Sequence, residues 1–471
     1  MTSIGLTLFV LALFAIGLRR PFLWVLAYVY IDVLVPQKIS YNLLAHIPIS
    51  LIAFVLCFGG WLAIDPKAHT RFTLRQGLLL LLLVYCGMTT LTADFPVDAL
   101  AKWAWVWKGL VFAIFLPLTL RTRLRFEAVT LTMVLTVGAI IINGGIKTAA
   151  GGGGYGELNL FVNDNSGIYE GSILSTVAIA IIPLIVWLAK HGTVFKPDWR
   201  VKIFAVALIF ACMLIPVGTQ ARTGLLCLGL LAVLSLRSVK HRLLYVGAVA
   251  AAGLMAVPFL PQSFTERMGT IEDHQADKSA STRVAVWMWT IGYAKDHPFG
   301  GGFDAYRGNK IAYTTVSAQT DGGTTSLGTE NVVDEGRAYH SSYFEMLGEQ
   351  GWPGLALWLW IQAMGLWQME RLRSRWRKRA AEFPDDPSMQ WQAPFANALQ
   401  QAQLVYLLGS LFVGIAYQAF ILMLIALQCG LWSYLRRIDT PAPRRIGKRP
   451  PMQPLRSAQP LHVTPEEPLG A

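Results

Sequence analysis

Three short segments carry polar residues where hydrophobic packing does not require them. The first is the tight connection Gly218–Gly224, GTQARTG, which places Arg222 between two apolar runs. An arginine at the edge of hydrocarbon is costly unless it is paired or reaches water, so it usually serves a site. Its planar guanidinium donates paired hydrogen bonds to phosphate or carboxylate oxygens. A snorkeling anchor at the membrane interface is the alternative interpretation.

The second segment is Ser281–Phe303, STRVAVWMWTIGYAKDHPFGGGF. Arg283, Trp287 and Ile291 recur at helical spacing, which predicts an amphipathic helix on the outer membrane surface that ends at the Pro- and Gly-rich stretch. The donor fork of Arg283 suits the oxygens of a diphosphate. An exposed arginine on a surface helix is the alternative.

The third segment is Arg337–Gly354, RAYHSSYFEMLGEQGWPG. His340 precedes Ser341 and Ser342, either of which is expected to cap a helix that continues into the next apolar run. An imidazole titrates near neutrality and can take a proton from an attacking hydroxyl, although a lone histidine often serves only as a structural hydrogen-bonding group. Residues that could support this site are Arg337, Tyr343, Glu345, Asn163 and Asp164.

The composition indicates which kind of fold must position these residues. The chain has 471 residues, of which 54% are hydrophobic and 14% charged, and its mean hydropathy is +0.46. A soluble protein carries about 25% charged residues, so the sequence predicts an all-α polytopic membrane protein. Its apolar runs allow 12 or 13 transmembrane segments, with one long periplasmic loop containing amphipathic helices. Met1–Leu18 lacks a basic leader and a cleavage site, so it is expected to be a retained first segment.

The predicted organisation has five parts. They are the N-terminal transmembrane segments (1–150), the central transmembrane segments with the Arg222 loop (151–260), the outer loop (261–342), the C-terminal transmembrane segments (343–437) and a disordered cytoplasmic tail (438–471). The last long apolar stretch, 398–435, is expected to cross twice, with a break near Tyr417 and Gln418. The side of the N-terminus stays open.

In a polytopic membrane protein, the net charge of +12 mainly indicates which connections between helices face the cytoplasm. One set of connections collects 28 of the 40 Lys and Arg residues, which places that set in the cytoplasm, whereas the 261–342 loop has three more acidic than basic residues. The positive charge then faces anionic membrane lipids, and nucleic-acid binding loses its main support.

The cysteines and acidic residues of the sequence predict neither a disulfide framework nor a metal site. All five cysteines fall inside apolar segments, so no disulfide framework is expected, and no paired aspartates of the DxD type occur in an outer loop. Lys102 and Lys108 lie near an outer helix end, where interfacial anchoring is the favoured interpretation over contact with lipid or diphosphate. The run Gly151–Gly154 favours a mobile loop over a phosphate cradle.

The three segments together resemble the O-antigen ligase and polymerase family of bacterial envelope glycosyltransferases. The resemblance rests on Thr219–Gly224, on the arginine, tryptophan and HPFGGGF pattern of Arg283–Phe303, and on the HSSYFEMLGEQGWPG block at His340–Gly354. The NDNSG segment at Asn163–Gly167 is similar to the branch associated with exosortase gene clusters. Where the family commonly has SRGG, this chain has Ala221 and Thr223 around the arginine, so only Arg222 is carried over.

The resemblance implies a GT-C-like architecture and an O-antigen ligase reaction. Ligases of the family transfer a glycan from undecaprenyl diphosphate to lipid A-core oligosaccharide at the periplasmic face of the bacterial inner membrane, without metal or other cofactor. Arg222 and Arg283 match the family's diphosphate-binding arginines. His340 matches its histidine, as general base in an inverting displacement or as a diphosphate ligand.

Other functions remain open from the sequence. A polymerase that extends lipid-linked chains and an enzyme that glycosylates protein Ser or Thr share the same chemistry. A transporter or flippase belongs to another class, but transporters place ionisable groups near the membrane midplane, often in two repeated halves. Here the polar segments are predicted on one face, and the halves show no symmetry.

Overall fold

A computed structural model describes residues 2–40, 44, 46–67, 71–150, 167–238, 241–247, 251, 278–321 and 324–439. Long helices and one β-hairpin form the described parts. The helices are α1 (Thr2–Gly17), α2 (Phe22–Leu34), α3 (Pro36–Ile39), α4 (Ile49–Ala63), α5 (Leu74–Leu91), α6 (Pro96–Thr119), α7 (Arg123–Ala149), α8 (Gly171–His191), α9 (Trp199–Gly218), α10 (Arg222–Ser235), α11 (Lys278–Asp296), α12 (Ser342–Glu382), α13 (Gln392–Gly409) and α14 (Ala419–Asp439).

Six of the described helices are long and apolar enough to cross a membrane, namely α5 to α9 and α14. Four shorter apolar helices, α1, α2, α4 and α10, accompany them. The chain is therefore an all-α membrane protein, whereas the predicted 12 or 13 crossings are not confirmed. The apolar stretch 243–260 of the sequence lies mostly outside the described residues. Helices α12 and α13 are not among these apolar helices, because they carry many polar side chains, including four buried glutamines of α13.

The break predicted in the last apolar stretch is confirmed, because α13 ends at Gly409 and α14 begins at Ala419. The buried connection between them has its backbone satisfied by side chains. The Ser342 hydroxyl donates to the Val413 carbonyl (2.9 Å) and accepts from the Ile415 N–H (2.9 Å). Ser341 occupies the N-cap position of α12 but makes no side-chain cap bond, so the expected serine cap is replaced by this bridge.

Basic connections meet at one end of the helix bundle. Arg125 pairs with Asp65 (2.6 Å), which joins the start of α7 to the end of α4, and Arg437 at the end of α14 donates to the Arg121 carbonyl (3.2 Å). These contacts place connections of the predicted cytoplasmic set together, as the charge count requires. We call this the basic end. Both α6 and α14 run from the opposite end of the bundle to it.

The 261–342 loop contains a helix and a β-hairpin in its described part. The helix α11 ends at Asp296, just before the Pro- and Gly-rich stretch, as predicted. The hairpin was not predicted: β1 (Lys310–Asp321) pairs antiparallel with β2 (Thr324–Glu335). Its signal was present, since Thr and Val recur on both sides of an Asp-Gly-Gly sequence that favours a tight turn.

Four helices are joined by a polar network in the apolar core. Arg75 of α5 is fully buried; its Nε donates to the Ile361 carbonyl of α12 (2.9 Å), and its Nη1 donates to Gln428 Oε1 of α14 (2.7 Å). The Gln428 amide donates to Gln403 of α13 (2.9 Å), which donates to Gln362 of α12 (2.7 Å). Because a buried donor is costly when unpaired, this chain fixes the register of the four helices.

Gly365→Ala tests that network. A Cβ at Gly365 would lie 2.2 Å from the Arg75 guanidinium, so the arginine must leave its hydrogen bonds. We expect a loss of about 1–3 kcal/mol, measured as a lower thermal unfolding midpoint in detergent. Gly229→Ala is the matched control, since a Cβ there meets nothing within 4 Å. Equal midpoints for the two variants would show that the network does not limit stability.

Candidate active site

A cavity of about 860 Å³ opens at the end of the bundle opposite the basic end. Its walls come from distant parts of the chain: residues 31–38 at the end of α2 and in α3, 98–109 of α6, 304–307, 338–340 and 413–419. Six carboxylates and four cationic side chains line it, so we call it the carboxylate cavity. Residues of the third polar segment line it, and Asp304 of its wall follows directly after the second segment.

Those two segments are locked together through their backbones. The Gly301 and Gly302 N–H groups donate to the carbonyls of Gly348 and Glu349 (3.0 Å each), and the Trp352 N–H donates to the Pro298 carbonyl (3.0 Å). The HPFGGGF stretch therefore donates to the carbonyls at the end of the first part of α12, just before its interruption at Gly351. This pairing sets where the next side chains, Asp304 and Glu349, enter the cavity.

Glycine is required at two points of this contact. Gly300 has φ +85°, and a Cβ there would lie 2.4 Å from the Glu349 carbonyl oxygen. Gly351 has φ +64°, where α12 is interrupted, and its Cβ would lie 2.2 Å from the Pro298 carbonyl oxygen. Both the positive φ and the close approach exclude larger residues, which explains the glycines of the two motifs.

His340 lines the carboxylate cavity from the loop before α12. The loop is held by α11, since the Trp287 indole donates to the Tyr339 carbonyl (2.9 Å) and stacks on Phe344 with ring centroids 4.9 Å apart. Arg283 lies one helical turn before Trp287 on the same face. Because Trp287 holds the His340 loop, Arg283 on the same helix face is close enough for its positive charge to act on the His340 imidazole.

Burial, together with the positive charges of Arg283 and Arg337, lowers the pKa of His340 to about 4. The imidazole is therefore neutral at neutral pH and has a nitrogen available to accept a proton. Arg337 itself forms an ion pair with Asp334, and its backbone is held by both amide atoms of Asn309 (2.7 and 2.9 Å).

Backbone strain concentrates around the site. Among the described residues, those other than glycine that have positive φ are Val35, Gln220, Asp304 and His340, at 48–57°. Three of the four line the carboxylate cavity, and Gln220 lies two residues before Arg222. Such conformations persist only where the surroundings impose them, and they cluster at functional sites. For a β-branched residue such as Val35 the cost is high.

Lys102 is the centre of the charged cluster in the cavity. Its ammonium lies 2.7 Å from Glu349, 2.8 Å from Glu345 and 3.5 Å from Asp304, and its side chain is only 11% exposed. The Glu345 carboxylate also accepts from the Ala416 N–H (3.1 Å), and Glu349 accepts from the Asp304 N–H (3.1 Å). The cluster joins α6, α12 and two loops.

Interfacial anchoring, the favoured prediction for Lys102, is wrong, because the ammonium lies among three carboxylates and not among lipid headgroups. Lys108, one and a half turns further along α6, also lines the cavity. The signal available in the sequence was the pair Glu345 and Glu349, which one helical turn separates on the same face. Sequence spacing could not show that α6 supplies their cation.

Arg222 is not among the residues that line the carboxylate cavity in the described part of the chain. It begins α10, and its loop contacts the start of α8 through a hydrogen bond between the hydroxyls of Thr219 and Ser175 (2.8 Å). Glu170, which caps α8, reaches the cavity wall. The structure thus brings His340 and Arg283 together and places the Arg222 loop behind one wall.

The remaining predicted residues divide into three groups. Glu345 lies in the cavity, as described above. Tyr343 packs inside the bundle, with its hydroxyl donating to the Leu407 carbonyl (3.2 Å) and its ring edge-on to Trp358. Asn163 and Asp164 lie outside the described residues. Just after them, the Gly167 carbonyl accepts a hydrogen bond from the Gln418 side chain (2.7 Å), which lines the cavity.

Residues 203–359 match the O-antigen ligase family profile. The chain contains an O-antigen ligase family domain. The resemblance seen in the three motifs is thereby confirmed, and the matched family domain supports a membrane enzyme that transfers glycans in general. Residues 1–193 match a second family profile, described as a family of unknown function (DUF5935). A comparison with curated proteins found no match.

The two matched regions share the carboxylate cavity. The ligase family domain contributes Asp304, His340 and the two glutamates, whereas the N-terminal region contributes the 31–38 wall and the 98–109 wall. Lys102 ties one region to the other. The N-terminal region is therefore part of the site and not an independent anchor.

Lys102→Met tests the cluster. Removing the ammonium leaves three carboxylates without their cation, which should lower stability by about 3–5 kcal/mol, measured as thermal unfolding in detergent. The double variant Lys102→Met/Glu349→Gln should recover part of this loss in a double-mutant cycle.

Lys310→Met is the control for that experiment, because Lys310 forms an exposed ion pair with Glu335 of the hairpin. Its removal should leave the unfolding midpoint nearly unchanged, because solvent screens an exposed ion pair. A cycle without coupling between Lys102 and Glu349 would contradict the assigned contact.

Proposed function

We propose that this protein is an O-antigen ligase of the bacterial inner membrane. It transfers a glycan from undecaprenyl diphosphate to lipid A-core oligosaccharide at the periplasmic face, by inverting glycosyl transfer without a metal ion. The observation that carries the proposal is the neutral His340 at the wall of the carboxylate cavity, beside Arg283, inside a ligase family domain. The basic end of the bundle then faces the cytoplasm, as the positive-inside rule requires.

His340 acts as the general base in this proposal. An acceptor sugar hydroxyl passes its proton to an imidazole nitrogen while its oxygen attacks the anomeric carbon of the donor. The bond between that carbon and the diphosphate oxygen breaks in the same step, so the configuration inverts and undecaprenyl diphosphate leaves. A neutral imidazole is required, and the lowered pKa of His340 supplies it.

Charge decides where each substrate group lies. The six carboxylates of the cavity outnumber its four cations, so the cavity disfavours a diphosphate and accepts uncharged sugar hydroxyls. Trp105, Tyr306 and Tyr417 supply aromatic surface in the same walls for the apolar faces of sugars. We therefore place the saccharide in the cavity and the diphosphate beside it, where Arg283 and Arg222 neutralise the leaving group.

The variants His340→Ala, Arg283→Ala and Arg222→Ala should each lower transfer at least about 100-fold while the protein stays folded. The assay combines purified enzyme, lipid A-core and undecaprenyl-diphosphate glycan, and it measures the glycosylated core. His297→Ala and Lys295→Ala are matched controls, since both residues are exposed near the same helix end. They should retain activity.

Four results would overturn all or part of the proposal. Full activity of His340→Ala would remove the base assignment, and activity in both arginine variants would remove the diphosphate site. Lengthening of the lipid-linked glycan without any core product would make the enzyme a polymerase. Transfer to protein Ser or Thr alone would make it a protein glycosyltransferase.

The pH dependence provides a separate test. Because burial and two arginines lower the pKa of His340 to about 4, its base form persists above that pH, and kcat/KM should fall only as the pH drops through about 4. Arg337→Gln removes one repelling charge, so the acidic limb should move to higher pH. An acidic limb near the unperturbed value of about 6.5 in both proteins would contradict this assignment.

A further inference from the structure

A second cavity, of about 570 Å³, lies at the basic end of the bundle. Residues 182–191 of α8, 231–235 of α10, 373–380 of α12 and 393–401 of α13 form its walls. The connection between α12 and α13 closes one side, where the Gln390 amide donates to three backbone carbonyls. We call it the basic cavity. None of the residues of the proposed reaction lies in it.

The interior of the basic cavity is apolar. Pro183, Trp187 and Leu231 are buried in its walls, and Val186 is 36% exposed beside them. Apolar surface of this kind between helices of a membrane protein suits hydrocarbon, because a small hydrophilic ion gains nothing from contact with it.

The mouth of the basic cavity is cationic. Lys190, Arg373 and Arg377 line it together with His191, and no Asp or Glu is among its described lining residues. Arg373 is paired with Glu370 of its own helix (2.6 Å). For Lys190 and Arg377, no carboxylate of the described chain lies within ion-pairing distance. This charge pattern is the opposite of that in the carboxylate cavity.

We propose that the basic cavity is a binding site for an anionic phospholipid. The phosphodiester would lie between Lys190 and Arg377, and the first part of the acyl chains would contact the Val186 and Leu231 side of the cavity. Ser235 and Asn397 place neutral polar groups beside the mouth, where a headgroup hydroxyl can bond. Free phosphate would satisfy the cations alone and leave the apolar walls unused.

A lipid bound in the basic cavity would contact helices that also form the carboxylate cavity. The basic cavity lies where α13 packs against both α8 and α12, and the opposite ends of α8 and α12 carry Glu170 and Glu345 in the carboxylate cavity. A ligand that binds only the folded bundle stabilises it by mass action. Lipid binding should therefore raise the unfolding temperature of the whole protein.

The test uses the full-length protein in a neutral detergent, with thermal unfolding measured during titration of phosphatidylglycerol or of phosphatidylcholine with the same acyl chains. Phosphatidylglycerol should raise the midpoint in a saturable way, and phosphatidylcholine should not. The double variant Lys190→Ala/Arg377→Ala should weaken the apparent affinity for phosphatidylglycerol at least tenfold. Lys196→Ala/Lys202→Ala is the matched control: it removes two exposed cations that are outside the cavity lining.

Three outcomes would overturn the proposal. Equal shifts with both lipids would show that headgroup charge is not recognised. Equal weakening by the two double variants would reduce the effect to general surface charge, and the same shift with inorganic phosphate would make this a site for a free anion. The measurement does not use the transfer reaction, so it stands or fails independently of the proposed function.

Discussion

The contact on which the site depends is the ammonium of Lys102 among three carboxylates. Charges taken out of water are stable only when opposite charges and hydrogen bonds compensate them, so none of the four groups could be buried here alone. Lys102 is on α6 of the N-terminal region, and its partners are in the ligase family domain. The cavity therefore exists only when the two regions pack together, which gives the N-terminal region a physical role in the site.

Around that contact, the backbone is arranged to bring the reactive groups to one place. The glycine contact between the Gly300 and Gly351 turns fixes Asp304 relative to Glu349, and Trp287 fixes the His340 loop relative to α11. Asp304 and His340 both adopt left-handed backbone conformations at the cavity wall. The packing of four elements imposes this strain, so the positions of these groups are set before any substrate arrives.

Much of this site could be predicted from local patterns. The spacing of Arg283 and Trp287 predicted a helix, the HPFGGGF stretch predicted its end, and the third segment predicted a histidine at the start of α12; all three predictions are confirmed. Lys102 could not be found in this way, because its partners are more than 200 residues away and no periodicity reports a contact between helices. The hairpin was not predicted for a different reason. Its strand signal, the Thr and Val residues on both sides of Asp-Gly-Gly, lies in a loop for which amphipathic helices were expected.

The two cavities have opposite charge, and this separation follows from the topology of the helices. Helices α6 and α14 run from the carboxylate cavity to the basic end, so acidic and basic groups lie a bundle length apart and do not neutralise each other. In the proposed reaction, the acidic cavity favours neutral sugar hydroxyls over a diphosphate, so the leaving group would be stabilised from outside the cavity lining. The proposal assigns this stabilisation to Arg283, whose charge also acts on His340. Arg222 would share it only if its guanidinium reaches past the start of α8 to the same diphosphate. On this proposal, the wall at Glu170, which lies between the Arg222 loop and the cavity, is the place that donor binding would have to change.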